Sequence, residues 1–122
     1  MKKCKILRKE TVIFPNVKIL KGVFEKSRGL MLKRELKEDE ALLFRFKRIG
    51  RYGFHMFFVF FPIDIVWLND KMKIVEIHKN FKPFSYYSPK CLANNVIEMR
   101  KGSISRLNLS LGDKLTISYL LR

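Results

Sequence analysis

Between positions 54 and 68 the chain reads FHMFFVFFPIDIVWL, fifteen residues of which thirteen are carbon-rich and only His55 and Asp64 titrate. No other stretch restricts the fold as tightly. A membrane-spanning helix needs about 20 apolar residues, and a central Asp costs roughly 2.5–3.5 kcal/mol on insertion scales. This run stops short and carries Pro62, Asp64 and His55, so a spanning helix is excluded. Aromatic and β-branched side chains favour strands. Pro62 has no N–H to give to a ladder and belongs at a strand start or edge. The run therefore divides into one strand over 54–61 and a second over 63–68. In the second, Ile63, Ile65 and Trp67 share one face, and Asp64, Val66 and Leu68 share the other. Both faces are apolar, which predicts a strand covered on both sides.

The same reading continues along the chain. Segments 5–8 and 11–14 are β-type, Pro15-Asn16 reads as a turn, and 17–20 continues the sheet. A short helix is expected over 22–28, closed by Gly29 as a left-handed cap. Residues 36–40 are polar and turn-like, 42–46 a strand, and 49–53 a glycine-bearing connection. After the greasy run, 69–71 is a tight connection and 72–78 the returning strand of a hairpin. Residues 81–89 form a long aromatic loop with two prolines. A strand at 95–99, a helical turn at 102–107, a turn at 111–113 and a closing strand at 115–121 complete the pattern. A chain of 122 residues is expected to be one domain, spanning 1–122. Its predicted class is mainly β (α+β), a compact sandwich or partly closed barrel with one or two short helices. The predicted core is Phe44, Phe46, Phe57, Val59, Ile65, Trp67, Ile74, Val96, Ile97 and Leu115.

Charge points outward from the fold. Twenty-six Lys and Arg oppose eleven Asp and Glu, a net charge of +15, which favours contact with polyanions such as nucleic acid or an anionic membrane surface. The cations are spread through the chain, as on an ordinary solvated surface. Cys4 and Cys91 are the only cysteines and lie in no C-x-x-C arrangement, so a reduced, cytoplasmic protein is expected. Met1-Lys2-Lys3 opens like an export signal, but Lys5, Arg8, Lys9 and Glu10 leave no apolar segment behind it. Glutamine is absent beside 17 Lys and 11 Ile, a composition in keeping with heat adaptation.

Asp64 carries the sharpest chemical question. A carboxylate in an apolar strand must find hydrogen bonds or a positive partner. It either accepts backbone N–H groups and pins the bend after Pro62, or meets a core-flanking Arg, or is a site residue shifted by burial. His55 is a packing residue or, if it faces Asp64 across the bend, half of an acid–base pair. Metal binding is not expected, because His55, His78, Cys4 and Cys91 do not stand at ligand spacing. No nucleophile elbow and no phosphate-cradling glycine motif is present, so neither a catalytic set nor a cofactor is expected. The stretch FRFKRIGRYGF at 44–54 alternates rings with cations, the chemistry of single-strand binders. It is equally the pattern of a half-buried strand with its rings inward.

GLM at 29–31, EALLF at 40–44, HMFFVFFPIDIVWLND at 55–70, VIEMRKG at 96–102 and LGDKL at 111–115 stand in an order that resembles the domain-of-unknown-function 192 family, in its archaeal branch. The resemblance covers roughly 17–119 and implies a compact, mainly β fold with short helices and no established activity. Pro62 and Asp64 match that family's Pro-x-Asp. Ala41 stands where many relatives have Gly, His55 where Trp is frequent, and Phe57-Phe58-Val59 where bacterial relatives often have Lys-Asn-Thr.

Two functional classes follow. The first is a non-enzymatic binding module for a small molecule or peptide, using Asp64, His55, Arg28 and the 81–89 loop with Tyr86 and Tyr87. The second is a nucleic-acid-binding β-domain using Arg45, Lys47, Arg48, Arg51 and Tyr52. An enzyme built on Asp64 and His55 is a third and weaker reading.

Overall fold

The structure is a computed structural model that describes residues 2–21, 34–55 and 61–120. The expected helix at 22–28, Arg28, and the core candidates Phe57 and Val59 lie outside these residues. Among the described residues, seven strands make one open sheet: β1 (Lys2–Arg8), β2 (Thr11–Lys21), β3 (Glu40–Gly50), β5 (Ile63–Leu68), β6 (Ile74–Phe81), β8 (Ala93–Arg100) and β9 (Thr116–Tyr119), ordered β6-β5-β8-β3-β2-β1-β9. Two further strands, β4 (Phe54–His55) and β7 (Tyr86–Tyr87), pair as a separate antiparallel ribbon. A short helix, α1 (Ser103–Leu107), follows β8. Neighbours in the sheet are antiparallel except β2 and β3. The mainly β expectation holds, and the sheet does not close into a barrel.

Strand β5 is buried along its whole length, as its two apolar faces require. Val66 and Leu68 join a cluster with Leu43, Ile97, Met99, Ile104, Leu109 and Leu115, under α1 and the segment after it. Ile65 and Trp67 join a second cluster with Phe44, Phe46, Phe81 and Val96, against which Tyr52 and Tyr87 pack. Burial of each large side chain stabilises by about 1.5–3 kcal/mol. The sheet is thus the middle of a sandwich, and the predicted core residues that are described are all buried.

Two local expectations are corrected. Pro15-Asn16 is not a turn, because β2 runs through it. Ile6 pairs with Phe14 and Cys4 with Val17, so Pro15 and Asn16 together oppose Lys5. A bulge absorbs a residue that cannot donate to the ladder without ending the strand. The 81–89 segment is not a simple loop either. Phe81 closes β6 in a buried position, and Tyr86–Tyr87 form the ribbon with β4.

Candidate functional site

The returning strand β6 is irregular, and its irregularities build the site. Trp67 pairs with Glu76 but Leu68 with Ile74, so Val75 is an extra residue. Ile65 pairs with His78 but Ile63 with Phe81, which gives a second extra residue near Asn80. Paired residues share a face. The bulges therefore turn Glu76, His78 and Phe81 toward the side of the sheet that holds Trp67.

The ribbon closes over this side. The Tyr87 ring lies 4.1 Å from His78 and 5.2 Å from Trp67 between centroids, and Phe81 meets His78 edge-on at 5.1 Å. Tyr87 donates its hydroxyl to Glu76 Oε2, and Glu76 Oε1 accepts the Lys90 and Cys91 backbone N–H groups at 2.8 Å. Trp67 donates its indole N–H to the Tyr52 carbonyl at 2.8 Å. Gly53 makes the approach possible: a Cβ there would stand 2.7 Å from the Tyr87 carbonyl oxygen.

These contacts set the electrostatics. Burial pushes the Glu76 carboxyl upward, but the Tyr87 hydroxyl and the two backbone N–H groups outweigh it and hold the group below the usual carboxylate range. Tyr87 is pushed up to about 12, first by its hydrogen bond to Glu76 and then by burial. Burial lowers His78 against the opposing pull of Asp64 and Glu76, which keeps the imidazole neutral. Among the described residues, neither ring nitrogen of His78 enters a hydrogen bond.

Asp64 sits on the other face, in the row of Met99. Its Oδ1 accepts the Asn80 N–H at 2.9 Å, and Oδ2 accepts those of Gly102 and Ile104, both at 3.0 Å. Asn80 reaches it through a left-handed backbone, φ 53°, which Asn tolerates better than most residues. The carboxylate fastens the end of β6 and the start of α1 to β5. Asp64 and Tyr87 thus lie on opposite faces and are not brought together. His55 pairs with Tyr86 in the ribbon, Tyr86 is exposed, and Arg28 lies outside the described residues.

The basic stretch divides sharply. Phe44 and Phe46 are buried, Tyr52 stacks on Phe46 with centroids 3.7 Å apart, and its hydroxyl donates to the Arg48 carbonyl. Arg45 donates to Asn95 Oδ1 and to the Tyr119 hydroxyl. Lys47, Arg48 and Arg51 are exposed.

The sequence reading missed Glu76 and weighed His78 and Cys91 only as metal ligands. It also missed Glu98, fully buried opposite Ile65. Nothing in the alternating stretch IVEIHKN marks an inward acid. Among the described residues, no group of three His, Cys, Asp or Glu side chains stands where it could hold a metal, and no helix is long and apolar enough to cross a membrane.

The family model of domain of unknown function 192, described as Uncharacterized ACR, matches residues 5–117. A UPF0127 protein of Thermococcus sibiricus is 35% identical over 81% of this chain and 64% of its own length. One of Pyrococcus horikoshii is 30% identical over 81% of this chain and 84% of its own. The chain spans 61–64% of the length of the three Thermococcus relatives it matches. Among crystal structures, a conjectured transcription regulator of Sinorhizobium meliloti 1021 superposes with a TM-score of 0.82 at 22% identity, over 95% of this chain and 92% of that one. A protein of unknown function from Novosphingobium aromaticivorans gives a TM-score of 0.81 at 21% identity, over 93% and 83%. These two likenesses concern the fold.

Proposed function

We propose, for a chain that belongs to the domain-of-unknown-function 192 family, a non-catalytic binding module that takes a small planar molecule or an aromatic peptide side chain beside the β4–β7 ribbon. The single observation that carries this reading is His78. Its imidazole is neutral, half-buried between two aromatic rings, and uncommitted among the described residues. Binding sites combine apolar walls with a few placed polar groups. Here half-buried Tyr87 supplies a wall backed by buried Phe81, exposed Tyr86 and Phe84 lie on the same segment, and His78 supplies one donor and one acceptor.

Binding fits better than catalysis. Both oxygens of Glu76 are held by Tyr87, Lys90 and Cys91, and Glu98, which shares that face through its pairing with Ile65, is fully buried. Burial raises the Cys4 thiol to about 11, which leaves it protonated and unreactive. In this reading Asp64 supports the fold, and Tyr86 and Tyr87 remain ligand candidates. Two free thiols suit a cytoplasmic setting.

Thermal melting against a panel of planar aromatic metabolites and tyrosine-bearing tripeptides tests the proposal. Stabilisation by some panel members is expected, lost in His78→Ala and reduced in Tyr86→Ala, with the His78 imidazole NMR signals moving on titration. A flat panel, or shifts untouched by both substitutions, rejects it.

A further inference from the structure

The far end of β3 has a shape that the ribbon site does not use. Arg45 pairs with Asn95 and Gly50 with Ala93, so four residues of β3, 46–49, oppose the single Asn94 of β8. Bulges re-aim side chains. This one buries Phe46 and throws Lys47, Arg48 and Ile49 into solvent, with Arg51 next along the chain.

The arch is also clamped. Tyr52 folds back over it, stacked on Phe46 and donating to the Arg48 carbonyl, while the Tyr52 carbonyl is held by Trp67. A Cβ at Gly50 would stand 3.3 Å from the Tyr52 ring, so the fit is close. The cations are therefore mounted on a fixed backbone.

Charge is segregated along the same strand. Glu35, Glu38, Asp39 and Glu40 gather at its opposite end, where Arg34, Arg100 and Arg106 pair with Glu40, Glu35 and Glu38. Among the described residues no carboxylate forms an ion pair with Lys47, Arg48 or Arg51. Lys21 ends β2 beside Arg45, and the 69–73 turn adds Lys71 and Lys73 against one acid, Asp70.

We infer that this arch is a docking surface for the phosphodiester backbone of nucleic acid, read without base contacts. Cations carried on a fixed backbone, with no ion pair among the described residues, release counterions from a polyanion at little cost in backbone ordering. The rings of Phe44, Phe46 and Tyr52 are buried or engaged within the fold, so the surface positions phosphates and carries no sequence readout. A protein partner is a poorer fit, because interface affinity comes from aromatic and Arg anchors in desolvated pockets, and the arch exposes only Ile49 among large apolar residues. A membrane surface is poorer too, since interfacial binding relies on a broad apolar face.

Fluorescence anisotropy of a labelled mixed-sequence strand and of its duplex, at about 50 and 200 mM salt, decides the matter. The combined variant Lys47→Ala, Arg48→Ala, Arg51→Ala is compared with Lys79→Ala, Lys82→Ala, Lys101→Ala, which removes equal charge elsewhere. Circular dichroism and Trp67 emission verify that both fold. We expect the arch variant to bind at least about tenfold more weakly, with a salt slope shallower by about 2 to 3, at 0.7–0.9 per lost contact. The control should lose less than about twofold on the same basis. Equal losses in the two variants, or no loss in the first, overturn the inference. So does tighter binding to phosphatidylglycerol vesicles or polyglutamate than to nucleic acid, and so does a strong base preference.

Discussion

Two buried acids, Asp64 on β5 and Glu76 on β6, fasten the two faces of one sheet by different means. Each accepts three hydrogen bonds. Asp64 takes all three from backbone N–H groups of segments far along the chain. Glu76 takes two from backbone and the third from the Tyr87 hydroxyl, which can also accept. A backbone N–H has one role and one direction, whereas a hydroxyl rotates to suit its partner. The Asp64 fastening is therefore rigid about the chemistry of its acceptor, and the Glu76 fastening is forgiving.

Amide substitution breaks or sharpens this contrast. In Asp64→Asn, whichever position the new NH2 takes, it faces a backbone N–H that has nowhere to turn. Losing charge-assisted bonds and leaving a buried donor unmet should cost about 3 kcal/mol or more, read as a lower urea midpoint with an unchanged slope. A loss below about 1 kcal/mol, inside the ordinary range for a mild substitution, would show that the carboxylate is not needed.

Tyr87→Phe removes the rotatable donor itself. Glu76 Oε2 then lacks its partner, and a loss of about 1.5 kcal/mol is expected, near the low end for bonds to charged groups. Trp67 emission should change as well, since the ring of residue 87 sits 5.2 Å away.

Glu76→Gln should cost least at neutral pH, below about 1 kcal/mol, because Oε1 still accepts both N–H groups and the amide can donate to Tyr87. Its signature belongs in acid. A carboxyl held below its usual value stabilises the fold above its unfolded pKa, and that stability is lost as pH falls through the folded value. His78, lowered from 6.5 by burial, adds an earlier loss that begins as pH falls below 6.5, because the unfolded imidazole gains the proton first. Urea midpoints measured against pH should show both steps in the wild type, with Glu76→Gln missing the lower and His78→Phe missing the upper. Identical acid limbs in all three proteins would disconnect the ribbon from these groups.

Asp64 and Glu76 also mark how far the sequence can be read. An acid inside FFPIDIVWL stands out, because both strand faces around it are apolar and a buried carboxylate must be satisfied. The doubly covered β5 and the mainly β class follow from side-chain periodicity in the same way, and the inward rings of β3 are one of the two readings that periodicity allowed. Glu76 in IVEIHKN looks like an ordinary outward polar residue of an alternating strand. Only the bulge at Val75, set by the pairing of β6 with β5, turns it and His78 against Trp67. The four-residue arch of β3 and the ribbon partnership of His55 with Tyr86 are likewise facts of register. Periodicity is a local property that residue type can write into one strand. Register is a relation between two strands, and it is decided by which partner the folded chain supplies.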